Sequence, residues 1–135
     1  MSVLVDTSAW SLYLRKRIPA ESEVSDKVDR LIQDDRACLI GSIRQELLSG
    51  IRHPQQFNRL RAILDAYPDQ QLFTTDYVRA AEMFNICRAQ GVQGDHIDFL
   101  ICAAAERLDM PILTTDKDFL HYRKSLPIRL YEVPD

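Results

Sequence analysis

Short apolar runs alternate along this chain with longer stretches whose apolar residues recur at helical spacing. Val3-Leu4-Val5, Cys38-Leu39-Ile40, Leu72-Phe73 and Ile112-Leu113 are brief and wholly apolar, the pattern of strands covered on both faces of a parallel sheet. Residues 128–133 alternate apolar with charged or polar side chains, as an edge strand does. Helical periods cover residues 8–17, 42–51, 57–64, 77–90 and 97–108, and Val24, Val28, Leu31 and Ile32 set one more. Strand and helix alternating in this way predict an α/β three-layer sandwich, with a mainly parallel five-stranded sheet flanked by helices. In such sheets ligands bind beyond the carboxyl ends of the strands, near the point where strand order reverses.

Composition narrows the class. The chain has 135 residues, 46% hydrophobic, so one domain spanning 1–135 with a core that needs neither disulfides nor a structural metal is expected. The longest apolar run, residues 99–105, is far short of the ~20 residues of a membrane span, and Asp6 interrupts the apolar stretch near the N-terminus. No membrane segment or signal peptide is expected. Cys38, Cys87 and Cys102 are odd in number, form no CxxC pair and lie among apolar residues, which points to a reducing, cytoplasmic setting. The net charge of −3 argues against a protein that holds nucleic acid by bulk charge. Where the acids lie matters more than their number.

Four acids occupy equivalent places. Asp6 ends the first apolar run in Val-Leu-Val-Asp-Thr-Ser, and Asp116 follows the fourth in Ile-Leu-Thr-Thr-Asp-Lys-Asp-Phe. Glu46 flanks the stripe of Ile43, Leu47 and Ile51 near the start of the helix after the second strand, and Asp98 flanks Ile97, Ile101, Ala104 and Leu108 at the start of another. Each acid alone has an ordinary explanation: a helix cap for Asp6, Asp95, Asp98 or Asp116, a solvated residue near a helix dipole for Glu46. Together they mark the carboxyl edge of the sheet. Clustered carboxylates raise one another's pKa unless a cation offsets their charge, and an all-oxygen set selects Mg²⁺ or Mn²⁺ over zinc. Such a site suits phosphodiester hydrolysis, with the hydroxyls of Thr7, Ser8 and Thr114 placed to orient a carboxylate or water.

In order and over the whole chain, Val-Leu-Val-Asp6-Thr-Ser, the mid-chain Glu46, Asp98-Phe-Leu-Ile-Cys-Ala-Ala and Leu-Thr114-Thr-Asp116-Lys-Asp-Phe resemble the motifs of PIN-domain ribonucleases. The length and layout resemble the toxin component of VapBC-type toxin-antitoxin modules. The resemblance implies metal-dependent endonucleolytic cleavage of RNA, with Asp6, Glu46, Asp98 and Asp116 as catalytic and metal-binding residues and one or two Mg²⁺ or Mn²⁺ ions. It also implies a homodimer and a cognate antitoxin whose tail blocks the site. Cys102 stands where the family more often has Ala, and Asp95 adds an acid just before the third motif, leaving two candidates there of which Asp98 matches the motif.

The remaining features admit two readings each. Trp10, Leu12, Tyr13 and Leu14 suit either core or a dimer face. Arg15, Lys16 and Arg17 suit either a solvated helix end or contact with RNA phosphates, and Arg44 and Arg52 suit contact with substrate or an antitoxin carboxylate. His53 and His96 read as structural or solvated, and Gly91 and Gly94 as residues that let the chain turn. Lys117 and Asp118 read as surface partners, although Asp118 could add to a second metal position. Three other functions fit parts of the pattern. One is an RNA-processing or structure-specific nuclease outside a toxin-antitoxin pair, and another is a nuclease-derived RNA-binding module without catalysis. The third is a receiver-like Mg²⁺-binding signalling module with Asp76 at the end of its middle strand.

Overall fold

The computed structural model describes residues 1–15 and 23–134. Val3–Val5 form β1, and all three are wholly buried, because the strand lies mid-sheet with side chains packed against both faces. β2 (Ala37–Cys38) and β3 (Ile112–Leu113) pair with it in parallel, giving the order β2-β1-β3 with Leu4 opposite both Cys38 and Ile112. The sheet is parallel as expected but narrower than the five strands read from the sequence. Both edges shrink to isolated parallel bridges, Leu39 with Asp69 and Ile112 with Leu130. Leu72-Phe73 is no strand. Phe73 instead stands at the N-cap of the next helix, its N–H donating to the Asp76 carboxylate at 2.8 Å. At the other edge Leu130 pairs, but Glu132 turns with φ +55°, which ends the run.

Seven helices lie among the described residues: α1 (Thr7–Arg15), α2 (Glu23–Gln33), α3 (Gly41–Leu48), α4 (Pro54–Leu64), α5 (Thr74–Ala89), α6 (His96–Leu108) and α7 (Asp118–Tyr122). Pro54 opens α4, its fixed φ suiting the first turn, so this helix starts three residues earlier than its apolar period suggests. α5 likewise starts at Thr74 rather than residue 77. The short α7 has no counterpart in the sequence pattern, since five residues are too few to show a period. α1 packs on α2 and α3, α3 on α4, and α5 on α6. Trp10 is fully buried, edge-on to Tyr67 at 5.1 Å between ring centroids, so it belongs to the core and not to a dimer face.

This topology fixes where a ligand can sit. From β1 the chain crosses to β2 on one side, whereas β3 continues to the bridge at Leu130 on the other. The reversal falls between the carboxyl ends of β1 and β3, and that is where a parallel sheet opens a crevice. Asp6 directly follows β1, and Thr114 to Asp116 directly follow β3.

Candidate functional site: a carboxylate cluster at the sheet edge

Asp6 is only 6% exposed and is held by three donors. The Thr7 N–H donates at 2.8 Å, the Ser8 hydroxyl at 3.0 Å and the Thr114 hydroxyl at 2.7 Å. Burial raises its pKa above the ordinary carboxylate value, the donors from Thr114, Ser8 and Thr7 oppose that rise, and the charge of Asp116 adds to it. Ser8 Oγ also accepts the Thr115 N–H at 3.0 Å, and Thr114 Oγ1 accepts that of Asp116 at 3.0 Å. Ser8 and Thr114 thus lace the end of β1 to the end of β3. Thr7 turns the other way, donating its hydroxyl to Glu46 Oε1 at 2.8 Å, which brings the exposed Glu46 on α3 to the residue beside Asp6.

The tightest grouping differs from the four acids that the sequence singles out. Ligand oxygens of Asp98, Asp116 and Asp118 lie within 4.8 Å of one another, with Asp98 and Asp116 half-buried and Asp118 exposed. Asp118 is drawn in by a local turn, its N–H donating to Asp116 Oδ1 at 2.9 Å where α7 begins. Lys117 forms no ion pair with it among the described residues. Asp95 takes a different place: it caps α6, accepting the Ile97 N–H at 3.1 Å, and touches the cluster only through its charge. Of the two acids at the third motif, Asp98 is therefore the one in the cluster. Its pKa is pushed up to about 6, first by burial and then by the charges of Asp6, Asp116 and Asp95, against a hydrogen bond from the Tyr122 hydroxyl at 2.7 Å. An all-carboxylate group carrying this much mutual repulsion fits a hard divalent cation, which would restore the charged form.

Several sequence expectations are redirected. The Arg44 guanidinium is engaged by the Asp69 carboxylate at 2.8 Å and the carbonyls of Leu64 and Tyr67, so it braces the chain after α4. Arg52 is exposed, and Arg15, also exposed, lines a groove of about 640 Å³ with Leu14, Leu47, Leu60 and Ile63. Lys16 and Arg17 lie outside the described residues. His96 stacks on Phe84, ring centroids 5.0 Å apart, and His53 is the exposed N-cap residue of α4. Cys87 and Cys102 are buried, and burial raises both thiols, consistent with inert packing. Asp76 does not end a strand, which removes the receiver-like arrangement. It sits in the first turn of α5, 2% exposed and bound to Arg107 Nε at 2.7 Å. Burial alone would raise its pKa, but Arg107 and the Phe73 N–H outweigh that and lower it.

Two residues that matter here carry little signal in the sequence. Tyr122 reaches Asp98 across 24 positions from a helix too short to read. Gly94 is needed for space: a Cβ there would fall 2.5 Å from the Tyr122 hydroxyl and 2.7 Å from the Phe99 ring. Beside the cluster Asp118 and Tyr122 share with Gln93 and His121 the wall of a hollow of about 260 Å³.

Known proteins place this architecture. No curated protein matches the sequence. The structure of FitAcB from Neisseria gonorrhoeae is similar with a TM-score of 0.74 at 20% identity, covering 96% of each chain. VapBC2 from Rickettsia felis bound to a DNA fragment from their promoter is similar at 0.72 and 16% identity, with both chains covered in full. These likenesses establish the shared fold. Residues 3–125, which hold β1, β3 and every acid of the cluster, match the PIN domain family model, and the chain belongs to the PIN domain family.

Proposed function

We propose that this protein is a divalent-metal-dependent endoribonuclease and the toxin of a toxin-antitoxin module. Membership of the PIN family makes it a nuclease, a hydrolase of phosphodiester bonds. The observation that carries the finer reading is the convergence of Asp98, Asp116 and Asp118 at the switch point of the sheet, with Asp6 beside them and Glu46 tied in through Thr7. Asp98, Asp116, Asp118 and Asp6 would hold one or two Mg²⁺ or Mn²⁺ ions. When bound, the cation supplies Lewis-acid activation of a water and charge neutralisation at the scissile phosphate. The chain's own part is positional. Ser8 and Thr114 fix the rotamer of Asp6, Thr7 holds Glu46, and the turn at Asp116 presents Asp118. In the hydrolysis a water oxygen forms the new bond to phosphorus and the bond to the leaving oxygen breaks. Glu46, exposed on α3 and held beside Asp6 by Thr7, would take the water's proton, and the leaving oxygen would take one from solvent.

The partner follows from the same likeness. VapBC2 is described with a promoter DNA fragment, and this chain covers its counterpart fully. We assign this chain a cognate antitoxin, a cytoplasmic setting and self-association into a dimer. No helix among the described residues is long and apolar enough to cross a membrane.

The test is direct. Purified protein with Mg²⁺ or Mn²⁺ should cut single-stranded or folded RNA internally, stop with EDTA, and be inhibited by the product of a short adjacent reading frame. Asp6→Asn and Asp98→Asn should each slow cleavage by at least about 100-fold, the scale set by losing several kcal/mol of charge stabilisation. Wild-type rates in both variants would remove the site assignment. Preference for DNA, or RNA cleavage untouched by the neighbouring product, would move the protein to repair or RNA processing.

A further inference from the structure

We infer that Tyr122 is a positioning residue for the cation site: its hydroxyl sets the Asp98 carboxylate, and Gly94 exists to let it do so. The inference rests on the reading that the acids hold a divalent cation, and goes beyond it to residues outside the acid set.

Three observations converge. The Tyr122 side chain is wholly buried, and its one polar atom is aimed at a carboxylate rather than at the backbone; it donates to Asp98 Oδ2 at 2.7 Å. Such a short bond to a carboxylate is charge-assisted and roughly twice as strong as a neutral one. The ring cannot drift from this aim. Phe99 packs against it at 4.8 Å between centroids and Phe119 at 5.1 Å. The third observation is Gly94. Its φ is not in the left-handed region, where Gly50 and Gly91 lie, so its backbone does not demand glycine. Space does: a methyl at residue 94 would meet both the Tyr122 oxygen and the Phe99 ring at distances no packed carbon tolerates.

The contrast with Asp6 shows why this one bond matters. Asp6 has three donors to hold its rotamer, whereas Tyr122 is the donor the described residues give Asp98. Asp98 also faces the like charges of Asp6, Asp116 and Asp95. By binding Oδ2, the hydroxyl holds the rotamer of a carboxylate that faces Asp116 and Asp118 and offsets part of the repulsion that would swing it away. Outer residues that orient metal-binding side chains typically change metal affinity about 10–100-fold when lost.

Tyr122→Phe keeps the ring and removes one hydroxyl. Mn²⁺ binding to wild type and variant, followed by the electron paramagnetic resonance signal of free Mn²⁺, should show an apparent Kd weakened about 10-fold, with the variant still cooperatively folded in EDTA at a thermal midpoint lowered by the loss of one hydrogen bond. Gly94→Ala should weaken Mn²⁺ binding in the same direction, and the double variant should bind no more weakly than the worse single one, since both act through one contact. A Kd for Tyr122→Phe within twofold of wild type, whatever the change in stability, would make Tyr122 a packing residue and overturn the inference. Additive losses in the double variant would overturn the role of Gly94. A wild-type protein that binds no Mn²⁺ would overturn the cation reading first and this inference with it.

Discussion

At Asp98 the folded chain holds a carboxyl whose pKa stands at about 6, raised by burial and by Asp6, Asp116 and Asp95, and opposed by Tyr122. The unfolded value is near 3.9, so between about pH 4 and pH 6 the native state binds more protons than the unfolded one. Metal-free stability therefore falls as pH rises through that window, and the full penalty is present above it. Asp6, raised in the same direction, adds to the fall. A rise of this size in a fully enclosed carboxyl would correspond to roughly 3 kcal/mol, which solvent contact at a half-buried group reduces to about 1–2 kcal/mol. Asp98→Asn keeps a carbonyl oxygen to accept from Tyr122 while removing the charge. In EDTA at about pH 7.5 it should be more stable than wild type by about that 1–2 kcal/mol in urea denaturation, and at about pH 4.5 the gain should shrink to about a third of that. A variant no more stable than wild type at the higher pH would show that crowding at Asp98 costs nothing. At this scale the sequence is informative where an acid directly follows an apolar run, as at Asp6, or stands two threonines past one, as at Asp116. It is uninformative at Tyr122, because a contact across 24 positions leaves no local pattern.

The elements are tied by contacts of unequal worth. α5 and α6 pack along their length, and two arginine-carboxylate pairs span them. Arg79 meets Glu106 through two bonds at 2.9 and 3.1 Å, but both side chains are about a third exposed. Asp76 is different: 2% exposed, it accepts from Arg107 and from the Phe73 N–H, while Arg107 also reaches the Gln71 carbonyl at 2.8 Å and lies 4.8 Å over the Phe73 ring. Removing Asp76 takes the partner from the Phe73 N–H and from Arg107, which is itself about a third exposed, so Asp76→Ala should cost about 2 kcal/mol, whereas Arg79→Ala should cost about 1 kcal/mol or less. Chemical denaturation separates the two, and equal losses would mean that burial of Asp76 adds nothing. Neither residue touches the acids, so Mn²⁺ affinity of the folded variants should stay at the wild-type value. The same region shows why the strand expected at Leu72-Phe73 is absent. The pair is apolar enough for a strand, but Asp76 three residues after Phe73 offers its N–H a helix-capping partner, and α5 starts there instead. Likewise, two-residue strands such as β2 and β3 are legible only through the short apolar runs they belong to between helices, while edge segments that pair at one residue carry no separate signal. Helix periods are legible because each runs over several turns.

At the scale of the whole molecule, a net charge of −3 has to be reconciled with a polyanionic substrate. The acids are not spread evenly: Asp6, Asp98, Asp116, Asp118 and Glu46 gather at one edge, so that edge repels phosphate strongly until cations occupy it. One or two divalent ions would bring up to about four positive charges to that edge, enough to offset most of the charge of its five carboxylates. Binding of RNA should then be gated by the metal rather than by a basic surface. In fluorescence anisotropy with a short RNA, wild type in EDTA should bind weakly, and Ca²⁺, which takes oxygen ligands in place of Mg²⁺, should tighten binding by about 10-fold or more. Asp98→Asn combined with Asp116→Asn removes two negative charges from the same edge. This variant should bind RNA in EDTA more tightly than wild type and lose most of its response to Ca²⁺, although it should not cleave. The salt dependence should also be shallow, because a slope reflects the number of phosphates met by Lys and Arg, and here the bound cations meet the phosphates instead. Tight, metal-independent binding with a steep salt slope would mean that a basic face elsewhere captures the RNA and that the acids serve the chemical step alone.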